Sequence, residues 1–170
     1  MFMEYEELTL CFKDLALPRI IGERDIKELQ EPGVLYHGTP IQNISEILRR
    51  GLLARLSVRM YSCLTPNLEQ AIYFTNFVHH LCGLRGFGVL CIDKNKLPQK
   101  IKEELETDPQ YDEGVITRRD VFPKDIQKII LANHGVRKYS FDALSAEISK
   151  TGKKVKLIDY DSGNNRFNFV

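Results

Sequence analysis

The sequence has no tryptophan, and its four cysteines, Cys11, Cys63, Cys82 and Cys91, are scattered. No two of them have the paired spacing of a zinc site, and no metal is expected. They read as reduced thiols of an intracellular protein rather than as a disulfide framework. No run approaches the roughly 20 apolar residues that span a bilayer, so no membrane partner is expected. The first residues, "MFMEYEELTLCF", are broken by Glu4, Glu6 and Glu7 and do not read as a signal-peptide core. An excess of one charge is missing too. A net charge of +1 over 170 residues gives no general grip on nucleic acid or an anionic surface. One local basic stretch, "RRGLLARLSVR" (Arg49 to Arg59), could bind nucleic acid, against the plainer reading of a solvated helix end and loop. Repeats and low-complexity tracts are absent. So are G-x-G-x-x-G, the P-loop and Gly-x-Ser-x-Gly, which removes the commonest nucleotide and hydrolase signatures.

What remains suits a single domain, 1–170, with a full core. Residues 1–31 read as a mixed lead-in. "EPG" (Glu31 to Gly33) is turn chemistry and "VLYHG" a short strand. "NISEILRRG" puts Ile44, Ile47 and Leu48 on one helical face, with Asn43 as cap and Gly51 as stop. "RMYSCLT" reads as a second strand. "TPNLEQAIYFTNFVHHLCG" reads as a helix capped by Thr65, with Pro66 in its first turn. "GFGVLCID" is an apolar buried strand. "KNKLPQKIKEELETDPQYD" reads as a long polar loop with a short helix, of the length that often carries function. "EGVITRRDV" is strand-like, and "PKDIQKIILAN" turns at Pro123 into another strand. In the C-terminal part, 133–170, "YSFDALSAEISKTG" has Phe141, Leu144 and Ile148 at helical spacing. "KKVKLIDY" alternates like an edge strand, and Asp159 and Asp161 look like turn residues. The order is no regular βαβ alternation, so the class is α+β.

Three places could carry chemistry. His37 ends a strand, beside Gly38 and the hydroxyl of Thr39. A glycine there lets a ligand approach backbone, so a planar amide could bond Gly38 while His37 bonds a sugar hydroxyl. Glu113 follows the polar loop and opens "EGVIT". A carboxylate held there could steady an oxocarbenium-like sugar cation. In "AIYF", Tyr73 and Phe74 are adjacent and so point about 100° apart on a helix. One can be core while the other is a stacking platform. His79, His80 and Cys82 form a weaker metal candidate, without paired-ligand spacing.

Together, "YHGT…ILRRGL", "YSCLTPNLEQAIYF" and "DEGVIT" resemble the three successive motifs of the ADP-ribosyltransferase superfamily. The likeness is to its His–Tyr–Glu branch, that of diphtheria toxin and the poly-ADP-ribose polymerases, and covers about residues 34–132. It implies a split β-sandwich of two small sheets with flanking helices and an NAD-dependent glycosyltransferase. By this resemblance His37 would bond a ribose hydroxyl of NAD, Gly38 would hold the nicotinamide carboxamide, and Thr39 would support the strand end or the ribose. Tyr73 or Phe74 would sandwich the nicotinamide ring. Glu113 would bond the nicotinamide ribose and stabilise the cation as nicotinamide leaves. The second-strand tyrosine of the family falls near Cys63, so either Tyr61 takes that role by a shift of register or this chain replaces it. Two residues before Glu113 stands Tyr111, not Glu or Gln, so the signature of arginine modification is absent. Tyr111 is a substrate-loop aromatic or a loop anchor.

The resemblance implies mono-ADP-ribosylation of a protein or nucleic-acid acceptor, in the cytoplasm or in a target cell reached by a secretion machine, as a toxin or effector with a host target or an antitoxin. Alternatives are an NAD glycohydrolase, a small-molecule or RNA-directed transferase of the same fold, and an inactive binding module.

Overall fold

A computed structural model describes residues 28–57, 60–72, 75, 87–108, 113–133, 138–161 and 166–169. Two β-sheets with helices packed around them give the α+β arrangement expected from the element order. The larger sheet runs β1-β3-β6-β7-β8, where β1 is Val34–Pro40, β3 Phe87–Asp93, β6 Ile126–Asn133, β7 Lys154–Asp161 and β8 Arg166–Phe169. Its pairs are antiparallel except β6–β7, which is parallel. The smaller sheet, β2-β5-β4, joins Ser62–Leu64, Val115–Thr117 and Glu106–Thr107 antiparallel. The helices are α1 (Ile44–Arg50), α2 (68–72, with residue 75 also helical), α3 (Gln99–Glu103) and α4 (Lys138–Lys150).

The larger sheet is apolar on both faces because successive side chains alternate across a strand. Leu35, Leu90, Ile92, Ile129 and Leu131 face one core, where α1 brings Ile44, Ile47 and Leu48, α4 brings Ile148, and the small sheet brings Leu64. Tyr36, Val89, Cys91 and Ile130 face the other, closed by Leu68, Ala71 and Ile72 of α2. Ile126 and Ile129 both serve the first core despite a spacing of three. A register shift opposite Cys91 and Ile92 absorbs the extra residue and resets the alternation.

Several local expectations need correction. Asn43 stands at the α1 N-cap but makes no capping bond; its amide reaches Thr39 Oγ1 at 3.5 Å instead. Helix α2 starts later than Thr65. Asn67 is its cap, accepting from Gln70 N–H at 3.1 Å, and Thr65 Oγ1 accepts from Asn67 N–H just ahead of it. The strand "KKVKLIDY" is not an edge, because β8 pairs outside it, and Asp159 and Asp161 lie within β7 rather than in a turn. The long polar loop contains α3 and the short strand β4. Strand β5 begins at Val115, so Glu113 sits in the turn before it. Gly51 does stop α1, at φ 93°, its N–H bonded to Ile47 O at 2.7 Å. Tyr73, Phe74, Tyr111, His79, His80, Cys82 and Arg59 lie outside the described residues. No helix among the described residues is long and apolar enough to cross a membrane.

Candidate functional site

Strands β1 and β2 touch at one backbone bridge. Tyr36 N–H donates to Thr65 O at 2.7 Å, and Thr65 N–H returns to Tyr36 O at 3.0 Å. Residues in an antiparallel ladder turn their N–H and C=O alternately to the two sides. Tyr36 points away from β3, and so does Gly38. The next pair in register would join Gly38 to Cys63, and it is not made. The Cys63 carbonyl instead accepts a 2.7 Å bond from His37 Nδ1–H. From this point the two sheets splay apart. Gly38 N–H and C=O have no backbone partner among the described residues. A cleft of about 440 Å³, open mouth included, fills the split.

The cleft is lined by His37 and Gly38 from β1, Cys63 and Thr65 around β2, and Gln70 and Ala71 from α2. Asp108 and Gly114 close the far side, joined by Asp108 N–H to Gly114 O at 2.8 Å. Extending the small sheet's register by one residue puts Thr65, Gly114 and Asp108 in one cross-strand row. Gly114, with no side chain, separates Asp108 from β2. Asp108 is 3% exposed and is the one acidic residue among the described lining residues.

The state of His37 follows from its surroundings. A carbonyl can only accept, so Nδ1 carries the proton. Burial pushes the ring's pKa below 6.5, and the Cys63 bond opposes this less strongly. The imidazole is therefore neutral at pH 7, and Nε2 is an acceptor for a hydroxyl.

Gly38 has a second reason to be glycine. A Cβ there would overlap Thr75 Oγ1 and lie 2.6 Å from Ala71 O. Helix α2 thus rests directly on the strand, and the 2.6 Å bond from Thr75 Oγ1 to Ala71 O lies within the helix, over Gly38. Spacing alone suggested ligand approach; helix packing requires the same residue.

The remaining expected residues lie near the cleft or away from it. Glu113 is exposed in the turn before β5 and does not line the cleft, although its neighbour Gly114 does. Thr39 is buried and does not line the cleft. Tyr61 precedes β2, with the Arg118 guanidinium 5.8 Å from its ring centroid, and does not line the cleft either. Cys63 lines it with a half-buried side chain. Sequence reasoning missed Gln70 and Asp108. Gln70 was read only as part of the second helix, and Asp108 only as part of the long polar loop. In the basic stretch Arg49 and Arg50 share one carboxylate, that of Glu46, at 2.6 and 3.0 Å, and Arg55 lies 3.9 Å from Asp120. Among the described residues no group of three or more His, Cys, Asp or Glu could hold a metal ion.

Comparison with known proteins finds no family model and no curated sequence that matches the chain.

Proposed function

We propose that the chain is an NAD-dependent ADP-ribosyltransferase whose nicotinamide–ribose site is the cleft between β1 and β2. The observation that carries this reading is the pairing of Gly38 with His37. One backbone edge offers a donor and an acceptor side by side, complementary to a primary carboxamide. Next to it stands a neutral imidazole with Nε2 available to accept a ribose hydroxyl. Its supports are the three sequence motifs and the two-sheet arrangement that brings the first two together.

NAD supplies the leaving group: the bond between ribose C1′ and the pyridinium nitrogen breaks, its electron pair neutralises the ring, and cationic charge passes to the ribose. The chain's residues act around that event. Gly38 fixes the ring through its amide, and the neutral His37 fixes the ribose without adding positive charge. Two carboxyl groups, Asp108 in the cleft and Glu113 in the exposed turn beside Gly114, favour the developing cation. An acceptor nucleophile then bonds C1′ and loses its proton to solvent or to a carboxylate.

The test is nicotinamide release from NAD, alone and with cell lysate, by the wild type and by Glu113→Ala. Release by the wild type at least 100-fold faster than by the variant is expected, as for loss of a group that stabilises transition-state charge. Equal rates in both settings refute the reading. Release without lysate identifies water as acceptor, and label transferred to lysate identifies the macromolecular class.

A further inference from the structure

The side chain of Gln70 has its orientation fixed by a short chain of hydrogen bonds. Thr65 Oγ1 already accepts from Asn67 N–H at 3.1 Å, and its own proton goes to Gln70 Oε1 at 2.6 Å. With Thr65 Oγ1 as donor, Oε1 of the Gln70 amide is turned toward Thr65 and Nε2 away from it. Its Nε2 then has no described hydrogen-bond partner, while Gln70 lines the cleft. The same helical turn sits on Gly38, because Ala71 O lies 2.6 Å from where a Gly38 Cβ would be. Gly38 and Gln70 both line the cleft, so it carries two donors, Gly38 N–H and Gln70 Nε2–H.

We infer that Gln70 is a specificity-determining residue that donates from Nε2 to the carbonyl oxygen of the ligand's carboxamide, with Thr65 as its positioning residue. This rests on the nicotinamide reading of the cleft and adds to it. Gly38 recognises the amide as a unit. Gln70 demands an acceptor oxygen specifically, and the Thr65 hydroxyl engages the Gln70 oxygen on the side away from the ligand. A ligand lacking the carbonyl leaves the Gln70 donor unpaired on desolvation.

The experiment is an NMR titration of the full chain with nicotinamide and with pyridine, which lacks the carboxamide. Wild type, Gln70→Ala and Thr65→Val are compared. Nicotinamide is expected to bind the wild type at least tenfold more tightly than pyridine does. Gln70→Ala is expected to weaken nicotinamide about 5- to 10-fold, the size of one hydrogen bond, and to leave pyridine within twofold. Thr65→Val should weaken nicotinamide in the wild type but add nothing further on top of Gln70→Ala. A variant that merely distorts the cleft weakens both rings together, and that outcome overturns the assignment. So does unchanged nicotinamide binding by Gln70→Ala. If the wild type binds neither ring, the nicotinamide reading itself fails. Binding that ignores Gln70 removes only the inference made here.

Discussion

Replacing Gly38 by alanine probes the contact on which the cleft is built. The new Cβ would overlap Thr75 Oγ1 and stand 2.6 Å from Ala71 O and 2.7 Å from Thr75 Cβ. Rotating Thr75 clears its hydroxyl but breaks the 2.6 Å bond to Ala71 O. It does nothing for the other two atoms, one of which is backbone. Against an ordinary contact of 3.4 Å, Ala71 O is about 0.8 Å too close, so α2 must lift from β1 by about that much. Overpacking of this kind costs about 1–3 kcal/mol, and the lost hydrogen bond about 1 more. The expected total is about 2–4 kcal/mol. For a chain of this size that is a fall in Tm of roughly 5–15 °C. Urea unfolding followed by circular dichroism measures it. The double variant Gly38→Ala/Thr75→Ala should recover less than half, because Ala71 O and the residue-75 Cβ remain in the way. A single variant within 0.5 kcal/mol of wild type, or full recovery in the double variant, would refute the account of Gly38.

Other outcomes can be measured independently. Burial lowers the pKa of His37 below its unfolded value of 6.5, so the unfolded chain takes up a proton that the folded chain refuses. The ring's contribution is present above pH 6.5 and is lost as pH falls toward its depressed folded pKa. His37→Gln should flatten that part of the stability–pH curve, and an unchanged slope would show that His37 is not its source. Burial pushes the Cys91 thiol up to about 12, whereas Cys63 is half-buried beside the cleft. Iodoacetamide at pH 8 should therefore modify Cys63 at least tenfold faster than Cys91 by peptide mass spectrometry, and NAD should slow only the former. Asp108 should repel an anionic ring: nicotinate is expected to bind at least tenfold more weakly than nicotinamide, with the gap narrowing in Asp108→Asn. Equal affinities would place the ring away from that carboxylate.

The sequence made His37 and Gly38 conspicuous because both their signals are local: a strand tip, a glycine, and a helix that stops on another glycine. The buried strands were equally plain, since "GFGVLCID" and "IQKIILAN" are apolar on both faces and each face meets a core. Thr65 was picked out for the right chemistry but placed one motif early; its hydroxyl serves Asn67 and Gln70 rather than the helix start. Gln70 stayed hidden because its orientation depends on Thr65 in space, which no periodicity reveals. Asp108 stayed hidden because only the register of β4 against β5 turns it inward. The last strand pair was misjudged for a similar reason: alternation marks a strand but does not say what lies beside it.

Strand β1 leaves no room for a shift in reading frame. Leu35 commits to one core and Tyr36 to the other, and Gly38 must fall under α2 while His37 reaches Cys63. Inserting or deleting one residue between Val34 and Gly38 would exchange every one of these assignments at once. The spacing of Tyr36, His37 and Gly38 is therefore an architectural constant, whatever the cleft binds.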